Sequence, residues 1–230
     1  MNIFITVWNR HSWLIPFCED CVKAGLTPIL IDNASTYDPC VEWLKKCPYK
    51  VIWMEHNEGP WVFFTKLYSD YKDKYFFISD SDQDISKVPT DWPQHLISGL
   101  ERHTENKIWK AGLSQEINDI PKEDNHVLKE IYDYEKGFWR NQLSDGFYHV
   151  AMDLGVAVYD RERRTEDPKN TDQNGHCWYN AIRSDRPYTS RHLDWYLTKD
   201  NLREEDHYYF NAKNVHYGWG FKFYDEVYKK

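Results

Sequence analysis

Short apolar runs alternate with helical patterns along the first 85 residues, and this alternation constrains the fold more than any other feature. Four runs rich in β-branched and aromatic residues predict strands: 3–8, 28–31, 51–55 and 75–78. Three segments between them carry apolar residues at helical spacing: 13–24, 38–46 and 61–71. Strands that alternate with helices indicate βαβ units and a largely parallel sheet. The sequence therefore predicts an α/β fold of the Rossmann-like, doubly wound kind.

Local signals support these boundaries. Gly25 follows the first helical pattern as a C′ stop, and Pro16 falls in its first turn, where a missing N–H is tolerated. Asp38 and Pro39 form a good N-cap and N1 pair for the second helix.

The second half of the chain is less regular. Its predicted segments are a helix at 91–103, a strand at 108–116, a helix at 121–139, an interrupted strand at 148–159, a polar loop at 160–175 and an aromatic tail at 208–230. No internal repeat or low-complexity linker divides the chain. We therefore expect one domain over residues 1–230.

Composition excludes some partners. The formal net charge is −8, and no Lys/Arg-rich stretch breaks this balance. This composition argues against a duplex nucleic acid as a partner, because neutralising its phosphates needs a basic patch. Aromatic residues reach 17%, with 11 Trp and 17 Tyr, which favours a heavy core and also suits a site that stacks sugars or bases.

The cysteines and the amino-terminal sequence bear on the compartment. Five scattered cysteines do not predict a disulfide framework. Cys18 and Cys21 have CxxC spacing but lie in a helical pattern without a second pair, so buried thiols are favoured over zinc. The first apolar run is too short for a signal peptide, and no run is long enough to span a membrane. We expect a cytoplasmic protein in a reducing compartment.

Polar residues follow three predicted strands at the point where each ends. They are Asn9 and Arg10, Asp32 and Asn33, and Asp80 with Asp82. Ligands of open α/β sheets bind at the carboxyl ends of the strands. We expect these three groups to meet in one crevice.

The acidic run Asp80, Asp82 and Asp84 follows the fourth strand directly. Carboxylate oxygens are the hard ligands that Mg²⁺ or Mn²⁺ takes, often with a substrate diphosphate completing the shell. The alternative is a solvated acidic turn. An EF-hand is disfavoured, because the sixth loop position is not Gly and the twelfth is not Glu. P-loop, GxGxxG, GxSxG and HExxH motifs are absent from the sequence.

The order of these segments resembles a known family. The carrying motifs are Asp32-Asn33, Asn57-Glu58-Gly59-Pro60 and Phe77-Ile78-Ser79-Asp80-Ser81-Asp82, each after a strand. They resemble the GT-A glycosyltransferases near family 2. Further segments resemble a bacterial and viral branch: Lys110–Leu113, Asn118–Pro121, Ala151–Asp153 and Tyr188–Tyr196. The resemblance spans about residues 3 to 196 and implies a GT-A fold, with a nucleotide-binding half at 1–85 and an acceptor-side half at 86–230.

The resemblance also implies roles on the donor side. Asp82 would be the principal metal ligand, with Asp80 on the metal or the ribose and Asp84 as a further acid. The implied nucleotide-binding residues are Thr6, Asn9, Arg10, Asp32, Asn57 and Asp80. Arg10 would reach a phosphate, and Asp32 would accept hydrogen bonds from the base or ribose. The alternative for Asp32 is to cap the turn that follows it.

Two later residues match family positions. Asp153 resembles the general base of inverting members, although this chain has Ala-Met-Asp where the family motif ends in Glu-Asp. Asp119 and Asp145 are competing candidates, and a turn or helix cap is the alternative role. His192 resembles a carboxyl-terminal metal-binding histidine, and a structural histidine is its alternative.

The residues and the resemblance together predict a metal-dependent glycosyltransferase. It would move a sugar from a nucleotide-sugar, with UDP favoured on family grounds, to a glycan or another hydroxyl acceptor with inversion. Trp61, Trp139 and Trp195 could stack a sugar, although a core role is favoured for each. A non-catalytic nucleotide- or carbohydrate-binding module and a metal-dependent phosphohydrolase remain the alternatives.

Overall fold

A mixed α/β fold, as predicted, is seen in the computed structural model, which describes residues 1–104, 108–121, 126–163, 180–212 and 219–228. The strands are β1 (Asn2–Val7), β2 (Thr27–Asp32), β3 (Lys50–Trp53), β4 (Tyr75–Asp80), β5 (Gln83–Asp84), β6 (Lys110–Gly112), β7 (Ser114–Gln115), β8 (Phe147–His149), β9 (Ala157–Asp160), β10 (Ala181–Ser184) and β11 (Thr189–His192). The α-helices are α1 (Leu14–Lys23), α2 (Asp38–Lys46), α3 (Trp92–Arg102), α4 (His126–Lys136), α5 (Glu204–Asn211) and α6 (Trp219–Tyr228).

Eight strands form a central sheet in the order β3-β2-β1-β4-β9-β6-β10-β8. The first four are parallel to one another, whereas β9 runs antiparallel to both β4 and β6. Parallel strands bring their carboxyl ends to one edge of a sheet. The loops after β1, β2, β3 and β4 therefore meet there, as the sequence predicts.

Both faces of the central sheet are covered. Along β1, Ile3, Ile5 and Val7 face one apolar cluster together with α1, α2 and α3. Phe4 faces the other cluster, which contains Phe63 and Phe76. Successive side chains of a strand point to opposite faces, and a strand buried on both faces needs an unbroken apolar run. This explains the unbroken apolar run Ile3–Phe4–Ile5 in β1.

The predicted elements of the first half are present, with local differences. The pattern at 61–71 predicts an α-helix, but the chain forms a π-helical turn at Phe63–Leu67. The Tyr68 N–H donates to the Phe63 carbonyl at 2.8 Å, which widens the turn beneath a cluster of aromatic rings. In α2, the N-cap is Tyr37 rather than the predicted Asp38.

In the second half, two predicted strands divide. The segment 108–116 splits into β6 of the large sheet and β7 of a small sheet, and the segment 148–159 splits into β8 and β9. The helix predicted at 121–139 is α4. Of the predicted loop at 160–175, Arg161–Arg163 forms a 3₁₀ turn and 164–175 lies outside the described residues.

The cysteine prediction is confirmed where the structure describes the residues. Cys18, Cys21, Cys40 and Cys47 are free thiols, and the first three are buried. Burial raises the pKa of the Cys18 and Cys21 thiols. Cys177 lies outside the described residues. Within the described ranges, every helix is too short or too polar to cross a membrane.

A three-stranded sheet, β5-β11-β7, carries His192 to the edge of the central sheet. His192 pairs with Gln83, and the next residue, Leu193, donates its N–H to the Asp82 carbonyl at 2.8 Å. Glu116, which follows β7, anchors this sheet by accepting two hydrogen bonds of 2.9 Å from Arg186. The position of His192 therefore depends on residues far from it in sequence.

We predict that Glu116→Gln lowers the free energy of unfolding at pH 7 by about 1.5–3 kcal/mol, the range for a hydrogen bond to a charged group. Burial would raise the pKa of Glu116, but hydrogen bonds from Arg186 and from backbone N–H groups lower it below 4.5. Its contribution is therefore present above pH 4.5 and is lost as the pH falls below that value. Urea unfolding of both proteins from pH 7 to pH 3 checks this. A wild-type advantage that persists at pH 3 would contradict it.

Candidate active site

A cleft of about 360 Å³ opens at the carboxyl edge of the central sheet. It is lined by predicted residues from both halves of the chain: Thr6, Arg10, Asn57, Asp80, Asp82, Asp153 and His192. Asn33, which follows β2, also lines it. The three strand ends singled out from the sequence therefore do meet in one crevice.

Asp80, Asp82 and His192 form a compact group in this cleft. Each offers one ligand atom, and these atoms all lie within 4.8 Å of one another. Asp82 is buried, and its Oδ1 has no hydrogen-bond partner. A buried carboxylate oxygen without a partner is costly unless a cation or donor meets it. Two carboxylates and one imidazole suit Mn²⁺ or Mg²⁺, so these residues fit a divalent ion.

The electrostatics of this group also favour added positive charge. Burial, followed by repulsion from Asp82, raises the pKa of Asp80 to about 8. Burial would lower the pKa of His192, but the carboxylates of Asp82, Asp194 and Asp80 raise it above 6.5. Both shifts show that the group holds protons when no other cation is close.

Arg10 supplies one positive charge from inside the protein. It is 4% exposed, and its guanidinium lies 2.5 Å from Asp194 and 3.2 Å from Asp82. A third carboxylate, that of Asp206 on α5, lies 3.8 Å away, and the Tyr209 ring centroid lies 3.9 Å from the guanidinium carbon. These carboxylates raise the pKa of Arg10 despite its burial. Arg10 thus links Asp82 to the carboxyl-terminal part of the chain through ion pairs.

Not every predicted site residue reaches the cleft. The Asp84 carboxylate accepts a hydrogen bond of 2.8 Å from the Ser86 N–H and lies outside the metal-suited group. Asp32 is 2% exposed and accepts from the Ser35 N–H at 3.2 Å, which is the turn-capping alternative.

Asn9 likewise organises a loop. Its φ is 60°, in the left-handed region that asparagine tolerates, and its Oδ1 accepts from the Thr36 N–H at 2.6 Å. Neither Asn9 nor Asp32 lines the cleft, so their contacts with a nucleotide stay predictions.

Among the three candidate bases, Asp153 is the one that lines the cleft. Its side chain is exposed. Asp119 accepts from Arg191 at 2.5 Å and from the Tyr196 hydroxyl at 2.8 Å. Asp145 accepts from Arg102 at 2.8 Å. Both competitors are therefore held in ion pairs away from the cleft.

The sequence analysis missed several cleft residues. They are Trp8, Tyr134, Glu135, Arg183, Asp194, Tyr209, Trp219 and Phe221. The aromatic tail and the amphipathic α4 were visible in sequence, but neither pattern shows which face meets the cleft. Of the three tryptophans proposed for stacking, Trp195 lines the cleft and stacks on His192, with ring centroids 5.0 Å apart.

One solved structure with a similar fold is a mannosyltransferase, PcManGT from Pyrobaculum calidifontis, in complex with GDP-Man and Mn²⁺. The TM-score is 0.54 and the identity 11%, over 91% of this chain and 59% of that chain. This likeness confirms the predicted GT-A type of fold. The chain spans about three-fifths of the length of that enzyme.

Other comparisons are weaker. A synthetase for CMP:2-keto-3-deoxy-manno-octonic acid, complexed with CTP, matches 48% of this chain and 50% of that chain at 12% identity. Its TM-score of 0.36 is too low to bear on the fold. No protein-family model and no curated protein sequence matches the chain.

We predict that Asp82→Asn weakens Mn²⁺ binding at least tenfold. Mutating a residue that only hydrogen-bonds to a metal ligand already lowers metal affinity about 10- to 100-fold, and Asp82 is proposed to bind the metal directly. Asp84→Asn is the matched control two residues away, and it should bind Mn²⁺ like the wild type. Isothermal titration calorimetry measures both affinities. Equal affinities for the two variants would contradict the site.

The raised pKa values of Asp80 and His192 predict a pH dependence. Both groups must lose protons to bind a metal, so Mn²⁺ affinity should rise from about pH 6 to pH 8. Titrations at pH 7 in two buffers with different ionisation enthalpies should show proton release. Affinity that is flat over this range would count against these ligands.

Proposed function

We propose that this protein is a metal-dependent glycosyltransferase that moves a sugar from a nucleoside-diphosphate sugar to a hydroxyl acceptor. The observation that carries the proposal is the group of Asp80, Asp82 and His192, in which the buried Asp82 Oδ1 has no hydrogen-bond partner. The group lies in a cleft at the edge of a fold shared with a mannosyltransferase.

Charge explains why a cation is needed. The protein has a net charge of −8, and a nucleotide diphosphate is also an anion. Arg10 lines the cleft, but its guanidinium is in ion pairs with Asp82 and Asp194. When bound, a divalent ion neutralises the leaving diphosphate oxygens, an effect of several kcal/mol.

The order of strands supports a division of the cleft. Thr6 lies on β1 and Asn57 follows β3, so both belong to the parallel side of the sheet. Asp153 precedes β9, on the other side of β4. Asp80 ends β4, between these two sides. We assign the donor to the parallel side and the acceptor to the side of Asp153.

Asp153 is the proposed general base for inversion. In this role its carboxylate takes the proton of the acceptor hydroxyl as the oxygen attacks the anomeric carbon, opposite the leaving diphosphate. Two cationic side chains from inside the protein hold the segment that carries it. Lys110 Nζ donates to the Met152 carbonyl, and Arg183 Nε donates to the Ala151 carbonyl at 2.9 Å. Such support fixes the geometry that proton transfer requires.

The nucleobase of the donor is to be tested with both UDP- and GDP-sugars. The resemblance seen in sequence favours uridine, whereas the similar solved structure is in complex with GDP-Man. Thr6, Asn33 and Asn57 line the proposed donor side, where Asn33 Nδ2 donates to Asn57 Oδ1 at 2.8 Å.

We predict that Asp153→Asn lowers kcat for sugar transfer by about 10²- to 10⁴-fold, the usual contribution of general base catalysis. Mn²⁺-dependent binding of the nucleotide should be unchanged, because Asp153 lies on the other side of β4. Asp145→Asn, at the competing candidate, is the control and should keep full activity. A variant at Asp153 with wild-type kcat would remove it from the mechanism.

One assay separates the three functional classes. UDP- and GDP-sugars are incubated with protein and Mn²⁺, and nucleotide release is followed with and without EDTA. A glycosyltransferase releases nucleotide slowly by hydrolysis and stops in EDTA. A binding module releases none. A phosphohydrolase also cleaves phosphate from nucleotides that carry no sugar, and that result would overturn the proposal.

A further inference from the structure

The acceptor side of the cleft has a wall of aromatic residues that the proposed chemistry does not use. The aromatic residues are Tyr134 from α4 and Trp219 and Phe221 from α6. Glu135 of α4 lies beside them. The two helices are tied on the surface by an ion pair of 3.1 Å between Lys222 and Glu130. The wall therefore stands on two helices that pack against each other.

Tyr134 lines the cleft and is 53% exposed. Its ring centroid lies 5.9 Å from that of Trp219, with the planes tilted by 49°. Phe138 packs edge-on against Tyr134 at 5.0 Å and so limits its rotation.

The first turn of α6 packs closely against Asp194, the carboxylate that pairs with Arg10. A Cβ added at Gly220 would lie 2.9 Å from an Asp194 carboxylate oxygen and 3.1 Å from Phe210. Gly220, which has no side chain, fits this close approach, and its neighbours Trp219 and Phe221 line the cleft with it. The aromatic wall and the acidic group thus belong to one continuous cleft.

Two charged groups at this end, Arg183 and Glu135, neutralise each other. Arg183 donates to Glu135 at 2.6 Å, and both side chains are buried, at 6% and 2% exposure. Within the described part of the cleft lining, both arginines, Arg10 and Arg183, are in ion pairs. Asp153 adds a negative charge. An anionic acceptor would meet repulsion here, whereas a neutral one would not.

Resting on the function proposed above, we propose that this end of the cleft binds a neutral saccharide as the acceptor, with one sugar ring on the face of Tyr134. Pyranose rings have an apolar face that packs on aromatic rings, and their hydroxyls suit the carboxylates at the cleft floor. One hydroxyl would then face Asp153.

Saturation-transfer NMR tests this with two kinds of probe, in the presence of Mn²⁺ and UDP or GDP. The first is a panel of methyl glycosides of glucose, galactose, mannose and N-acetylglucosamine. The second is citronellyl phosphate, a soluble stand-in for a lipid phosphate. We expect at least one glycoside to bind and the phosphate not to compete. Binding of citronellyl phosphate alone, or of neither probe, would overturn the inference.

Variants locate the binding surface. Tyr134→Leu should raise the Kd of the bound glycoside by about 2- to 10-fold, the range for one aromatic contact. Tyr132→Leu is the matched control, since Tyr132 lies on the same helix, is 37% exposed and does not line the cleft. Trp219→Leu is a second test on the other helix. If the two tyrosine variants bind the glycoside equally, the wall is not the subsite.

Nucleotide binding keeps the two proposals distinguishable. All three variants should retain wild-type thermal stability and Mn²⁺-dependent nucleotide binding. If no glycoside binds while Mn²⁺-dependent nucleotide binding persists, only the acceptor inference is contradicted. Loss of nucleotide binding in the wild type would contradict the proposed function itself.

Discussion

The two oxygens of the Asp82 carboxylate have different surroundings, and the site is organised around this difference. One oxygen accepts from Arg10 at 3.2 Å, and the other is buried without a partner. Arg10 also contacts Asp194 and Asp206, so a single guanidinium joins the end of β4 to the carboxyl-terminal helices. Burying one charge among several carboxylates is stable only if the geometry is fixed on all sides. The same contacts hold the free oxygen toward Asp80 and His192.

The order of the strands divides the cleft into two sides around Asp82. The parallel strands β1, β2 and β3 lie on one side of β4, and the antiparallel strand β9 lies on the other. The proposed nucleotide-binding residues and the exposed Asp153 therefore reach the acidic group from opposite sides of β4. Two buried cationic side chains, Lys110 and Arg183, hold the backbone that carries Asp153. Rigid strands thus position both proposed reactants against one centre.

Much of the amino-terminal half could be predicted because its signals are local. Apolar runs of β1 and β4 and the helical period of α1 follow from neighbours in sequence. Parallel topology then brings Arg10 and Asp80 together without further information. Asp84 shows the limit of this reasoning. It stands two residues from Asp82 in sequence, but β5 turns its carboxylate toward Ser86.

The other features of the site depend on contacts between residues that are far apart in sequence. His192 was chosen by resemblance, and its place beside Asp82 follows from the pairing of β11 with β5, in which Arg191 lies opposite Asp84 and His192 lies opposite Gln83. Arg10 was expected to reach a phosphate, but three carboxylates surround it, two of them from the last part of the chain. The aromatic tail was visible in composition, yet only tertiary packing shows that Trp219 lines the cleft. No local pattern encodes these partners.

The central claim is that a divalent cation binds between Asp80, Asp82 and His192. Anomalous difference density from a crystal grown with Mn²⁺ and a nucleoside diphosphate tests it most directly. The account predicts a single strong peak within bonding distance of the free Asp82 oxygen and of His192, with Arg10 still on the other Asp82 oxygen. A peak on Asp84 or elsewhere, with Asp82 contacting Arg10 alone, would contradict it.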